Sequence, residues 1–117
     1  MPDYSGACHC GAVRFMVSVD PVETTTCDCT LCVKKNARMI QVPEAQLTIL
    51  AGEDRLATYQ WNTRVARHHF CKTCGIYTFH RKRSAPDRYG VNVYCLEGFD
   101  PESVPHRRAD GATMGVV

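Results

Sequence analysis

Seven of the eight cysteines in this 117-residue chain fall into three tight clusters, and that placement constrains the fold more than any other feature. The clusters are Cys8-His9-Cys10-Gly11, then Cys27-Asp28-Cys29-Thr30-Leu31-Cys32, then Cys71-Lys72-Thr73-Cys74-Gly75. In the third, two spacer residues let both sulfurs face one ion across a tight turn, and the glycine that follows can take the positive φ such a turn often needs. The first cluster has one spacer residue and also ends in glycine. Together the first and third clusters offer the sulfurs of Cys8, Cys10, Cys71 and Cys74, the complement of a closed structural zinc site. Closing that site ties the start of the chain to its second half. Structural zinc contributes roughly 10–16 kcal/mol in peptides, comparable with the whole stability of a small domain.

The middle cluster differs in kind. Cys27, Cys29 and Cys32 supply three thiolates within six residues, and no second cysteine pair remains to complete them. Three protein ligands with an exchangeable fourth position is the arrangement catalytic zinc uses. Closure of the site by His68, His69, Asp28 or Cys95 would instead make it structural. Cys95 alternates with Val91 and Val93 and reads as a small buried hydrophobe.

Disulfides are the rival use of eight cysteines. The N-terminal Met-Pro-Asp-Tyr-Ser-Gly has neither a basic start nor an apolar stretch, so it does not read as a secretory leader. Cys-x-Cys pairs rarely bridge each other, and a cytoplasmic compartment keeps thiols reduced. Metal binding in the cytoplasm is therefore the expectation. No apolar run approaches the roughly 18 residues needed to cross a bilayer. The formal charge is +2, and counting seven thiolates and two zinc dications brings the metal-loaded chain to about −1, which gives no support for nucleic-acid binding.

Hydrophobic residues make up 44% and charged residues 22%, values that argue for an ordinary globular chain and, at this length, one domain over residues 1–117. Ala12 to Val19 alternates, with Val13, Phe15, Val17 and Val19 on one face, and so predicts a half-buried strand. Further short strands are expected at Val22–Thr26, Arg38–Val42, Leu47–Leu50, Leu56–Trp61, Ala66–Phe70, Ile76–His80 and Tyr89–Leu96. Pro43 and Gly52 should end the two strands that precede them, and Cys29–Lys35 fits a helical turn. The pattern predicts a mainly antiparallel β fold. From Gly98 onward, Pro, Asp, Gly and Arg predominate, and the expectation is a loop or loosely held tail.

With Gly11, Phe70 and Gly75 included, the three clusters in order resemble the signature of the glutathione-dependent formaldehyde-activating enzyme family. Asn92-Val93-x-x-Leu96 resembles that family's late strand, and the resemblance spans about Gly6 to Pro101. It implies an Mss4-like fold, mainly β, of several coiled antiparallel sheets stapled by a structural zinc. It also implies structural zinc on Cys8, Cys10, Cys71 and Cys74, and a catalytic zinc on Cys27, Cys29 and Cys32. Family members often carry His and Arg where this chain has Asp28 and Val33, and Gly where it has Asn36. Asparagine tolerates left-handed backbone, so the turn can survive. Losing the basic residue bears on which anionic substrate is recognised.

The resemblance further implies a carbon–sulfur lyase acting on a small thiol, with S-hydroxymethylglutathione formed from glutathione and formaldehyde. Three thiolates weaken zinc as an acid compared with three neutral histidines, which favours thiol chemistry over hydrolysis. Glutathione brings carboxylates, for which Arg38, Arg64 and Arg67 are candidate partners, with Lys34 and Lys35 beside the middle cluster. His68 and His69 should point to opposite faces of a strand, one of them a candidate proton shuttle or partner near the metal. The alternative is a non-catalytic zinc-binding protein-interaction module, for which His80-Arg81-Lys82-Arg83 would be the contact surface. Nothing in the sequence speaks to oligomeric state.

Overall fold

The computed structural model describes residues 2–27, 34, 37–60, 67–81 and 87–109. The chain is mainly β, as the spacing of its apolar residues requires. Among the described residues ten strands form two sheets, one of three strands in the order β1-β2-β5 and one of seven in the order β10-β3-β4-β9-β8-β7-β6. The strands are β1 (Asp3–Ala7), β2 (Arg14–Ser18), β3 (Thr24–Cys27), β4 (Met39–Pro43) and β5 (Leu47–Ala51), then β6 (Leu56–Tyr59), β7 (Arg67–Cys71), β8 (Tyr77–Arg81), β9 (Arg88–Asn92) and β10 (His106–Ala109). Every pairing is antiparallel except that of β10 with β3.

The alternation around β2 does what it should. Val13, Phe15 and Val17 are fully buried, and they meet Ile40 and Val42 of β4, Phe79 of β8 and Val91 of β9 in one core. Phe15 from the small sheet meets Phe79 from the large one edge to face, with ring centroids 5.4 Å apart. Burying each such side chain contributes about 1.5–3 kcal/mol. The opposite face of the large sheet carries Gln41, Gly90 and Asn92, which alternate with the core residues of β4 and β9.

Pro43 ends β4 and leads into a 3-10 turn at Glu44–Gln46, as its missing N–H dictates. β9 is shorter than its alternation suggests. Asn92 accepts a bond from the Tyr94 backbone N–H at 3.1 Å and donates from Nδ2 to the Tyr77 carbonyl at 2.9 Å, which curls Val93–Cys95 into a 3-10 turn. Val22 lies outside the strand expected there and is exposed.

Two strands depart from the sequence reading. β1 has no alternation to announce it, and it forms because its whole length pairs with β2. The stretch after Gly98 is not a loose tail. A 3-10 turn at Pro101–Ser103 leads into β10, which pairs in parallel with β3. His106 grips that strand with both ring nitrogens, Nδ1 against Thr24 Oγ1 at 2.9 Å and Nε2 against Thr26 Oγ1 at 3.1 Å. Arg38 reinforces the join through Glu102 at 2.7 Å, Thr24 Oγ1 at 3.0 Å and the Pro101 carbonyl at 3.4 Å. Polar side chains hold this strand, so hydrophobic patterning could not reveal it. Among the described residues no helix is long and apolar enough to cross a membrane.

Candidate metal centre

Two hairpins build the centre. β1 runs into Cys8, and the chain turns through Cys10 and Gly11 before β2, with Cys8 N–H bonded to the Val13 carbonyl and Gly11 N–H to the Cys8 carbonyl. β7 ends at Cys71, and the second knuckle turns through Cys74 and Gly75 into β8, closed by bonds from Cys71 N–H to Ile76 O and from Gly75 N–H to Cys71 O. Gly11 and Gly75 hold φ of 80° and 81°, the left-handed backbone in which a side chain is strained. A bulge between His69 and Phe70 interrupts the β7–β8 register just before Cys71, and bulges of this kind re-aim the residues that follow. The first hairpin belongs to the small sheet and the second to the large one.

The four sulfurs of Cys8, Cys10, Cys71 and Cys74 lie within 4.8 Å of one another. Cys8 and Cys10 are 3.6 Å apart at sulfur, and Cys10 and Cys71 are 3.7 Å apart. Four sulfurs at zinc–thiolate distance from a common centre sit about 3.8 Å apart along a tetrahedron's edges, whereas a disulfide needs about 2 Å. All four thiols are free. Backbone N–H groups point at the sulfurs as they do around thiolates: Val13 N–H to Cys8 at 3.3 Å, and Thr73 and Cys74 N–H to Cys71 at 3.4 and 3.5 Å. The donor set and its spacing fit a zinc ion.

Electrostatics favour the same occupant. Backbone N–H groups of Cys10 and Ile76 pull the Cys74 thiol down to about 6, and those of Cys74 and Thr73 lower Cys71. Cys10 moves the other way. The Ala12 N–H pulls it down, but desolvation and the sulfurs of Cys8, Cys71 and Cys74 together push it up to about 11. Four thiolates at this separation need a dication to ionise together.

Cys95 lies near this cage without joining it. It is buried, its thiol donates to the Tyr77 carbonyl at 3.5 Å, and burial with the nearby Cys8 and Cys74 pushes it up to about 11. That is the packing role its strand-like spacing suggested.

Of the second candidate set, the backbone of Cys27 is placed at the end of β3, while Cys29 and Cys32 lie outside the described residues, as do Asp28, Val33, Lys35, Asn36 and Arg64. Thr25 pairs with Met39, and Met39 in turn with Asn92. Two residues further along β3 comes Cys27, and two residues before Met39 comes Ala37, so Cys27 and Ala37 lie at one end of the large sheet. A cleft of about 400 Å³ opens there, lined by Ala37, Phe70, Ile76, Tyr77, Asn92 and Tyr94. Gly75 of the second knuckle also borders it. Phe70 is part of the signature noted in the sequence, whereas spacing marked neither Tyr77 nor Tyr94, which lie on β8 and in the 3-10 turn after β9.

The other candidates have partners of their own. Arg38 is held by Glu102 and the β10 join, so it is not a free carboxylate clamp. Arg67 and Lys34 are exposed. His68 is buried and bonded through Nδ1 to the Tyr77 hydroxyl at 2.9 Å, whereas His69 meets Thr58 Oγ1 at 3.0 Å. Their different partners reflect the opposite faces expected of strand neighbours. Within the basic run, His80 and Arg81 belong to β8, which extends one residue past the expected strand end at His80. Arg81 bonds Glu44 at 3.0 Å and the Tyr89 hydroxyl at 2.7 Å, and its guanidinium lies 4.7 Å from the Tyr89 ring centroid. Lys82 and Arg83 lie outside the described residues.

Comparison with known proteins adds four findings. The family described as glutathione-dependent formaldehyde-activating enzyme matches residues 3–109. A Schizosaccharomyces pombe protein named as an uncharacterized lyase is 21% identical over 101 residues, covering 86% of this chain and 73% of that one. A Halomonas elongata protein, whose provisional name is glutathione-dependent formaldehyde-activating enzyme, is 33% identical over 78 residues, covering 59% of this chain but only 50% of that protein. The crystal structure of a Rhodobacter sphaeroides protein is similar with a TM-score of 0.81 at 42% identity, covering 88% of this chain and 99% of that one.

Proposed function

This chain belongs to the glutathione-dependent formaldehyde-activating enzyme family, and from that premise we propose that it is a zinc-dependent carbon–sulfur lyase acting on the adduct of a thiol and an aldehyde. Glutathione and formaldehyde are the pair we propose, giving S-hydroxymethylglutathione. In this reading residues 1–117 form one domain, Cys8, Cys10, Cys71 and Cys74 hold a structural zinc, and Cys27, Cys29 and Cys32 hold a second, catalytic one. Because it depends on free thiols, the reading places the protein in the reducing cytoplasm.

The observation that supports this reading is the cleft bordered by Ala37, the first residue described after the three-cysteine stretch and Lys34. A zinc ion held by that segment would supply Lewis acidity toward a carbonyl and favour the thiolate form of a bound thiol. The chain's own residues supply the surroundings. Phe70 and Ile76 present apolar walls, and Tyr77, Asn92 and Tyr94 complete the lining. In the addition, a bond forms between the thiol sulfur and the carbonyl carbon, the carbonyl π pair moves onto oxygen, and the proton count is kept by transfer from sulfur to oxygen. Cleavage is the reverse.

The test is exchange spectroscopy on glutathione and carbon-13 formaldehyde with zinc-loaded protein. Faster formation and breakdown of the hydroxymethyl adduct than in buffer is the expected result. Equal rates with and without protein, for glutathione and for other small thiols, would contradict the enzyme reading and favour the interaction module.

A further inference from the structure

One side chain belongs to the cleft and also contacts a stacked pair of histidines. Tyr77 lines the cleft, and its hydroxyl is bonded to His68 Nδ1 at 2.9 Å. His68 is only 7% exposed, so its imidazole reaches the cleft through Tyr77 rather than directly. His80, opposite His68 in the β7–β8 register, stacks on it with ring centroids 5.2 Å apart and planes 27° apart. The His80 ring in turn lies over Gly90, where a Cβ would overlap its imidazole atoms. The sequence of contacts runs Gly90, His80, His68, Tyr77, cleft. Packing thus fixes the plane of His68, and His68 fixes the Tyr77 hydroxyl. Among the described residues, the titratable groups beside His68 include Tyr77 and His80 on β8 and Tyr59, its partner on β6.

We infer that Tyr77 is the proton-transfer residue of the cleft, exchanging its phenol proton with the oxygen of the aldehyde or of the adduct's hydroxyl, with His68 as the positioning residue and proton partner behind it. This inference rests on the proposed thiol–aldehyde reaction. During addition the carbonyl oxygen gains an electron pair as the sulfur–carbon bond forms, and Tyr77 gives that oxygen its proton. Protonated His68 restores the proton to the phenolate from Nδ1 and recovers one from solvent, which balances the proton the thiol released to solvent. In cleavage the same steps run backward, with Tyr77 taking the hydroxyl proton. A phenol is a weak acid by itself, and an imidazole bonded to it is a group that can return its proton.

The experiment uses the zinc-loaded full chain as wild type, Tyr77→Phe and His68→Gln, with glutathione and formaldehyde. Tyr77→Phe removes one oxygen and should keep zinc content, unfolding temperature and the KM for glutathione within about twofold. Its kcat should fall roughly 100-fold, the low end of what general acid–base groups contribute. His68→Gln can still bond the phenol but cannot carry a proton, so it should lower kcat and flatten the kcat–pH profile, which a purely structural role would not do. In a second arm, imidazole nitrogen-15 NMR follows His68 as glutathione and formaldehyde are added. Its signals should move in wild type and stay fixed in Tyr77→Phe. Wild-type kcat in Tyr77→Phe overturns the relay and leaves the proposed reaction standing. A wild-type protein inert toward both substrates contradicts the reaction instead. The NMR arm then decides, and His68 signals that ignore the ligands, or move equally in Tyr77→Phe, overturn the relay.

Discussion

Cys10 and Cys71 stand 61 positions apart in the chain and hold their sulfurs 3.7 Å apart. Cys10 lies in the hairpin of the small sheet, and Cys71 ends a strand of the large one. The four-sulfur cage is therefore a cross-link between the sheets, placed at one margin of the core in which Phe15 meets Phe79. A metal there acts on the tertiary structure as a whole, because neither hairpin can close the cage alone.

Removing the metal should loosen that join. Treatment with a strong zinc chelator is expected to lower the unfolding midpoint and weaken the near-ultraviolet signal of the aromatic core, both recovering when zinc is restored. An unfolding midpoint indifferent to chelation would mean that the core holds the sheets together unaided.

Gly75 isolates the cost of knuckle geometry. Its φ is 81° and an added Cβ would meet nothing within 4 Å, so Gly75→Ala should be penalised by backbone strain alone. The expected loss is about 1–2 kcal/mol in urea unfolding of the zinc-loaded protein. A neutral substitution would show that the turn can relax out of the left-handed region.

Arg38 anchors the last strand. Replacing it with alanine leaves the fully buried Thr24 hydroxyl and the Pro101 carbonyl without that donor, at an expected cost of about 1–3 kcal/mol. Amide hydrogen exchange should accelerate over His106–Ala109 before it does in β4 or β9. Unchanged protection over β10 would assign its docking to His106 instead.

The Glu44–Arg81 pair sets a small acid dependence. The hydrogen bond from Arg81, and then its charge, hold the Glu44 carboxyl below the usual carboxylate range. A depressed acid contributes stability that is complete above its unfolded value, about 4.3, and is lost as pH falls through the lower folded value. Between pH 5 and 3 the wild type should therefore lose more stability than Glu44→Gln. Parallel unfolding curves for the two proteins across that range would contradict the assignment.

The parts of this fold that hydrophobic and cysteine spacing encode were readable in advance. Val13, Phe15, Val17 and Val19 announce their strand by period alone, and all four are buried. Cys71-x-x-Cys74-Gly75 carries its own geometry, down to the positive φ of the glycine. What was not readable depends on long-range pairing. β10 is a basic stretch whose strand conformation comes from His106 meeting Thr24 and Thr26 some 80 positions away. The apparent strand through Cys95 stops at Asn92 because one side chain caps a turn, which alternation cannot express. Tyr77 shows the same limit at the site: its place beside both His68 and the cleft depends on strand register and a bulge, not on local sequence.

The proposed division of labour between four cysteines and three is decided by metal analysis of two variants. Zinc per chain and urea unfolding should be measured for wild type, Cys74→Ala and Cys29→Ala. Two zinc ions are expected in wild type, a folded one-zinc protein without lyase activity for Cys29→Ala, and a strongly destabilised chain for Cys74→Ala. One zinc in wild type, or equal destabilisation by both substitutions, would contradict it.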